Sequence, residues 1–111
     1  MEISTEREGS LLVARAGGRL DSINAREFDD ALKSAISESD QVLIMDLEKV
    51  SYVSSAGLRV ILLTAKTLQQ RSAKLLICSL AEPIREVFEI SGFDKIIPIH
   101  ADLAAARASI G

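Results

Sequence analysis

Two adjacent serines, Ser54 and Ser55, lie in the stretch where this sequence concentrates its chemistry: Val50-Ser51-Tyr52-Val53-Ser54-Ser55-Ala56-Gly57-Leu58-Arg59-Val60. An apolar strand, Val42 to Leu47, precedes the stretch, and a long apolar helix begins inside it. A serine at a strand-to-helix junction has two uses. Its hydroxyl can cap the helix by accepting from an orphan N–H of the first turn. A helix N-terminus also carries partial positive charge and free donors, so it accommodates a phosphate. Arg59 follows Ser55 by four residues and shares its helix face. On its own terms Arg59 reads as a solvated surface arginine.

Other candidates carry less. Asp46 stands near the end of the apolar strand, either as a turn carboxylate accepting local N–H groups or as support for the serine loop. His100 is the only histidine and reads as a surface residue; Cys78 lies in an apolar strand and reads as a small buried hydrophobe. Gly17-Gly18 lacks the further glycines of a phosphate loop and reads as a strand end. No acidic cluster has metal-ligand spacing, and no nucleophile, base and orienting group come together. The expectation is a protein that is not an enzyme and needs no cofactor or metal.

The elements that must position the serines follow from periodicity. Ile3–Arg7 and Leu11–Ala16 predict an antiparallel hairpin around Glu8-Gly9-Ser10. Asn24 and Glu27 stand at capping-box spacing, ahead of a helix that carries Ala25, Phe28, Leu32, Ala35 and Ile36 on one face through about Glu38. Val42–Leu47 is a nearly continuous apolar run, as in a strand buried on both faces. The helix after the serines runs to about Gln70, with Leu58, Ile61, Leu62, Ala65 and Leu68 as its core stripe. Lys74–Leu80 predicts another strand. Glu82-Pro83 opens a helix whose Ile84, Val87, Phe88 and Ser91 face inward and which Gly92 stops. Ile96–Ile99 predicts a short edge strand around Pro98, and Asp102 caps a last helix with Leu103, Ala106 and Ile110. Alternating strands and helices predict an α/β fold with a mostly parallel sheet and βα crossovers, plus an N-terminal strand; residues 1–111 form one domain. Strand order stays open at this level.

Asp46-Leu47, Val50 and Val53-Ser54-Ser55-Ala56-Gly57-Leu58 together resemble the signature of the STAS domain family, the anti-sigma factor antagonists of bacterial partner-switching systems. The resemblance extends upstream to Gly18-Arg19-Leu20-Asp21 with Asn24-Ala25, and downstream to Val87-Phe88-Glu89-Ile90-Ser91-Gly92-Phe93, so it covers nearly the whole chain. It implies successive βα units wound as a superhelix. It also implies that Ser55 is phosphorylated by a partner, an anti-sigma factor that is a serine kinase of the histidine-kinase-like ATPase fold. A PP2C-type phosphatase would reset the switch. Asp21, Tyr52, Ser54, Ser55, Ala56, Gly57, Leu58 and Arg59 form the expected docking surface. The sequence departs from the family pattern where Ser54 replaces an Asp and Ala56 replaces a second Ser or Thr, so Ser54 is the alternative phosphorylation site. The other function considered is a constitutive scaffold subunit, in an ABC lipid-transport or stress-signalling complex, with the serines as a fixed contact surface.

Composition sets the outer bounds. Of 111 residues 48% are apolar and the formal net charge is −3, which argues for a folded core and against a nucleic-acid partner. The apolar runs fall far short of the roughly 20 residues that span a bilayer, so no membrane insertion is expected. Glu2, Glu6 and Glu8 do not suit a signal peptide, and one cysteine fits a reducing cytoplasm. The expected state is a monomer or weak dimer.

Overall fold

The computed structural model describes residues 1–110. Gly111, the end of the expected domain, lies outside the described residues. The elements are β1 (Glu2–Glu8), β2 (Leu11–Leu20), α1 (Ala25–Ala35), β3 (Val42–Val53) and α2 (Ser55–Gln70). Then come β4 (Lys74–Cys78), α3 (Glu82–Ser91), a 3-10 turn (Phe93–Lys95), β5 (Ile99–His100) and α4 (Leu103–Ile110). The strands form one sheet in the order β1-β2-β3-β4-β5. β1 pairs antiparallel with β2, and every later pair is parallel. Each crossover therefore steps one strand further in the same direction. That is the superhelical α/β winding with an added N-terminal strand.

Alternation along the strands divides the core between two faces. Leu12, Ala14, Leu43, Met45, Leu75 and Ile77 point toward Phe28 and Leu32 of α1, Leu58 and Ile61 of α2, and Ile84 and Phe88 of α3. Val13, Val42, Ile44, Leu76 and Cys78 point the other way, where Ala106 and Leu103 of α4 cover them. The middle strands are apolar on both sides because three helices cover one face and a short fourth helix covers part of the other.

Several boundaries differ from the sequence expectation, each for a local reason. α1 stops at Ala35 rather than Glu38, because Ile36 turns to extended backbone and Ser37 donates its N–H to Asp40 Oδ2 at 2.8 Å. β2 continues past Ala16 through Gly17-Gly18 to Leu20, and β3 continues past Leu47 to Val53. In this extension the buried residues of β3 are Leu47, Val50 and Val53, a period of three that does not read as a strand. The register explains it. Arg15 pairs with Asp46 but Gly17 with Lys49, and Gly18 pairs with Val50 but Arg19 with Tyr52. Each shift places an extra β3 residue opposite β2, as in a β-bulge, and turns alternation into every third residue.

Asn24 does not form a capping box with Glu27; its side chain makes no cap bond to α1. Leu62 and Ala65 are only half-buried, and Thr64 takes the inward position between Ile61 and Leu68. Its hydroxyl donates to the Val60 carbonyl at 2.8 Å, which hides its polarity from a sequence reading. β4 ends at Cys78, since Ser79 adopts φ +65°. On α3 only Ile84 and Phe88 are buried; Val87 and Ser91 lie on the outer side. Gly92 does stop α3, at φ +77°, a left-handed conformation glycine reaches without strain. The last strand shortens to Ile99–His100, because Phe93–Lys95 form a 3-10 turn and Pro98 offers only its carbonyl, to Ile77 N–H at 3.0 Å. Asp102 caps α4 through Ala105 N–H at 2.8 Å, while Ile110 is 39% exposed.

Asp40 is 1% exposed and is the main buried charge of the scaffold. It accepts from Arg7 Nε at 2.9 Å and Nη2 at 2.8 Å, and Arg7 also reaches the Ala35 carbonyl at the end of α1. The Arg7 guanidinium, helped by the Ser37 N–H, holds the Asp40 carboxyl below the usual carboxylate range against the opposing effect of burial. A depressed folded-state value contributes stability above the unfolded value, about 3.9, and loses it as pH falls through the folded value. Asp40→Asn is therefore expected to lose about 2 kcal/mol at neutral pH through weakened charge-assisted hydrogen bonds. In urea titrations the gap to wild type should narrow toward pH 2. A gap independent of pH would remove Asp40 as the source of the acid sensitivity.

Candidate functional site

The parallel arrangement brings the C-terminal ends of β2 and β3 to one end of the sheet, and both helices that follow start there. Ser54 is the N-cap of α2, with extended backbone at φ −86° and ψ 173°. Its Oγ accepts from Gly57 N–H at 3.3 Å, and its carbonyl accepts from Leu58 N–H at 2.9 Å. Ser54 N–H donates to the Leu20 carbonyl at 2.8 Å, which fastens the cap to the end of β2. Ser55 is the first residue of α2 and is exposed, and its hydroxyl makes no hydrogen bond among the described residues. The two adjacent serines thus divide the work. Ser54 is half-buried and holds the helix; Ser55 points a free hydroxyl outward.

The turn after β2 is locked by reciprocal bonds. Asp21 N–H donates to Asn24 Oδ1 at 2.9 Å, and Asp21 Oδ1 accepts from Ile23 N–H at 3.0 Å and Asn24 N–H at 3.3 Å. Asn24 Nδ2 donates to the Arg19 carbonyl at 2.6 Å. Asn24 therefore serves the strand end rather than the helix cap. Arg19 lies over the Tyr52 ring, 4.2 Å from its centroid, and its Nε approaches Asp21 Oδ2 at 3.7 Å. This stacked pair joins β2 to β3 and keeps Tyr52, 42% exposed, in a fixed orientation.

Of the expected docking residues, the fold gathers Asp21, Tyr52, Ser54, Ser55 and Ala56 on this rim. Arg59 follows one turn along α2, exposed, as the solvated reading expects. Gly57 and Leu58 face inward instead. Leu58 packs in the core, and a Cβ on Gly57 would fall 2.6 Å from Leu20 Cγ. These two residues position the rim rather than contribute contact surface, because the helix turns them under it. The Asn24 and Arg19 contacts were not legible as interactions, although both residues belong to the quoted motifs. Ile23, in the same turn, is 91% exposed.

The remaining candidates stand apart. Asp46 accepts from Glu48 N–H at 3.1 Å, which is the local turn role, and its other oxygen lies 3.9 Å from Arg15 Nε. Asp46 belongs to an open polar groove of about 610 Å³ with Arg15, Gly17 and Lys49, which includes neither serine. A smaller groove of about 370 Å³ between α1 and α2 also omits them. The serine rim is an exposed surface that neither groove includes. Cys78 is fully buried, and that burial pushes its thiol above the usual range, so it is a hydrophobe and not a nucleophile. His100 is half-buried rather than on the surface; its Nε2 is enclosed without a hydrogen-bond partner. Among the described residues no group of three or more His, Cys, Asp or Glu could hold a metal ion, and no helix is long and apolar enough to cross a membrane.

Residues 2–106 match the model of the STAS domain. The chain belongs to the STAS domain family. One relative of this STAS chain is BtrV of Bordetella bronchiseptica, named as an anti-sigma factor antagonist. It is 38% identical over 109 residues, which cover 98% of this chain and 94% of BtrV. Among solved structures, an anti-sigma factor antagonist from Mycobacterium paratuberculosis has a TM-score of 0.88 at 21% identity, covering 97% of this chain and 92% of that one. SpoIIAA of Bacillus shares the fold in two forms. The unphosphorylated form has a TM-score of 0.83 at 20% identity, covering 98% and 96% of the two chains. The phosphorylated form has a TM-score of 0.76 at 20% identity, covering 99% and 100%. In this STAS fold the serine rim lies where the sequence motifs converge.

Proposed function

We propose that this protein is an anti-sigma factor antagonist of the cytoplasm, a binding module without catalytic activity whose docking is switched by phosphorylation of Ser55. The observation that carries the reading is the division between the serines: Ser54 Oγ is held by Gly57 N–H, whereas Ser55 is exposed with a free hydroxyl. A kinase needs a serine it can reach without unfolding the helix start, and Ser55 meets that need. The relative named as an anti-sigma factor antagonist and the existence of phosphorylated SpoIIAA support the same reading.

In this scheme unmodified Ser55 lies in a rim that docks an anti-sigma factor, a serine kinase of the histidine-kinase-like ATPase fold. Docking displaces that factor's other client. The kinase then phosphorylates Ser55, and a PP2C-type phosphatase restores the hydroxyl. The phosphate adds about −1.5 to −2 charges and three acceptor oxygens. At the start of α2 the helix tolerates that charge, so the fold survives. Against a docked partner lacking a matching cation, its desolvation costs several kcal/mol, and about 4 kcal/mol corresponds to roughly a thousandfold loss of affinity.

The test is incubation with ATP and each serine kinase of that fold encoded in the host genome, followed by phosphopeptide mapping. One phosphate on Ser55 is expected. Phosphate on Ser54 alone, or no modification by any of these kinases, contradicts the reading.

A further inference from the structure

The sheet order places α1, α2 and α3 side by side over one face, and all three start at the C-terminal ends of the strands. The groove of about 370 Å³ opens between α1 and α2 on the outer side of this layer. Its walls are mostly apolar, with Leu32 and Ile36 on one side and Leu63, Thr67 and Leu68 on the other. Leu63 is 49% exposed there, although it stands in the middle of a helix. The outer side of α3 carries a ridge: Ile90 is 87% exposed, and Val87, one turn before it, is 36% exposed. Neither hydrophobic core uses Leu63, Val87 or Ile90. The charges around groove and ridge are opposite. α2 holds Arg59 and Lys66 and no acid, and Arg71 follows it. Lys66 has no ion pair among the described residues, and Arg71 directs its guanidinium to the Glu38 and Ser37 carbonyls at 3.0 and 3.1 Å. On the α1 wall Lys33 and Asp29 neutralise each other at 2.9 Å. α3 holds Glu82, Glu86 and Glu89 against a single Arg85, and none of these acids is paired among the described residues.

We infer that this face binds a second copy of the chain, in a two-fold dimer in which the α3 ridge of each copy lies in the α1–α2 groove of the other. Groove and ridge belong to the same face, so both exchanges occur together and the contact closes on itself. On opposite faces the same pair would add copies without end. Both features also lie in the C-terminal halves of their helices. A two-fold axis running along α2, in the plane of contact, keeps them at the same height. Val87 and Ile90 of one copy then cover Leu63 of the other, and Glu86, one turn before Ile90, meets Lys66. The charges select the arrangement, because an acidic ridge is repelled by another ridge and attracted by the basic flank of α2. Ser55 lies at the other end of α2, about two turns from Leu63, so the dimer leaves the serine rim open and the inference does not depend on its phosphorylation.

The test is sedimentation equilibrium of the full chain from micromolar to millimolar concentration. Wild type is expected to rise from the chain mass of 12.0 kDa toward twice that value. Ile90→Asp and Leu63→Asp each place a carboxylate in the contact twice and should weaken dimerisation at least about tenfold. Ile23→Asp, at the opposite end of the helix layer, should leave it as in wild type. Lys66→Glu and Glu86→Lys should each weaken it through like charges. An equimolar mixture of those two variants should associate like wild type, because the reversed charges again face opposites. Circular dichroism should show every variant folded, since each changed side chain is exposed in the single chain. A wild-type chain that keeps its single-chain mass at every concentration overturns the inference and leaves the groove to a different protein. A dimer that survives both Ile90→Asp and Leu63→Asp overturns it, as does a mixture of the charge-reversed variants that stays monomeric.

Discussion

Ser55→Ala is expected to dock the anti-sigma kinase about as tightly as wild type, and Ser55→Glu and Ser55→Asp at least tenfold more weakly, a margin of about 1.4 kcal/mol. All three should fold normally. The cap belongs to Ser54, through Gly57 N–H at 3.3 Å, so changing Ser55 leaves it intact. The cost of a lost cap, about 0.5–2 kcal/mol, therefore does not apply at Ser55. An acidic side chain at the first helical position is favoured by the helix dipole. The same charge becomes unfavourable when a partner covers it and removes its water. The carboxylate has less charge and fewer acceptors than a phosphate, so its effect should fall below that of true phosphorylation. Calorimetry against the kinase, with circular dichroism to confirm folding, checks the order. Acidic variants that bind like wild type would mean that charge at Ser55 is not the switch, and would favour a constitutive scaffold.

Gly57→Val is expected to destabilise the fold by about 3 kcal/mol, through overpacking at a site that cannot yield easily. An added Cβ alone would lie 2.6 Å from Leu20 Cγ, 3.0 Å from its Cδ2 and 3.1 Å from its carbonyl oxygen. Leu20 is fully buried, and its carbonyl is already committed to Ser54 N–H. Relief requires moving α2 away from β2, which strains the bond from Ser54 N–H to the Leu20 carbonyl. Gly57→Ala makes the same clash with fewer atoms. It also gains up to about 1 kcal/mol of helix propensity, so its net loss should be smaller. Urea unfolding gives both values. Wild-type stability in Gly57→Val would show that the approach of α2 to Leu20 is loose, and the claim that Gly57 positions the rim would fall.

The α/β alternation and the helix starts were legible because apolar periodicity and caps are local signals. Gly92 and Asp102 stop and start their helices as their residue types require. The serine pair was legible as a junction, and the resemblance to the family pointed to Ser55 with Ser54 as the alternative. What was not legible is the division of labour between the two hydroxyls, with Ser54 Oγ accepting from Gly57 N–H, and the bond that fastens Ser54 N–H to the distant Leu20 carbonyl. The extended β2–β3 ribbon was hidden by two bulges that break alternation. Asn24 resembled a helix cap, yet its side chain turns back to Asp21 and Arg19. Leu58 was legible as part of the core stripe, whereas Gly57 belongs to the motif and only the helix rotation shows it under the rim. Strand order came from pairing between segments, which hydrophobic periodicity does not encode.

The central claim is that one phosphate on Ser55 ends docking without unfolding the domain. The direct measurement is the affinity of the same kinase for two preparations of the wild-type chain, one unphosphorylated and one phosphorylated stoichiometrically on Ser55, with thermal unfolding of each followed in parallel. The account predicts similar unfolding for both and an affinity roughly a thousandfold lower for the phosphorylated form. Equal affinities would contradict it, as would a loss of binding that arises only because the phosphorylated chain no longer folds.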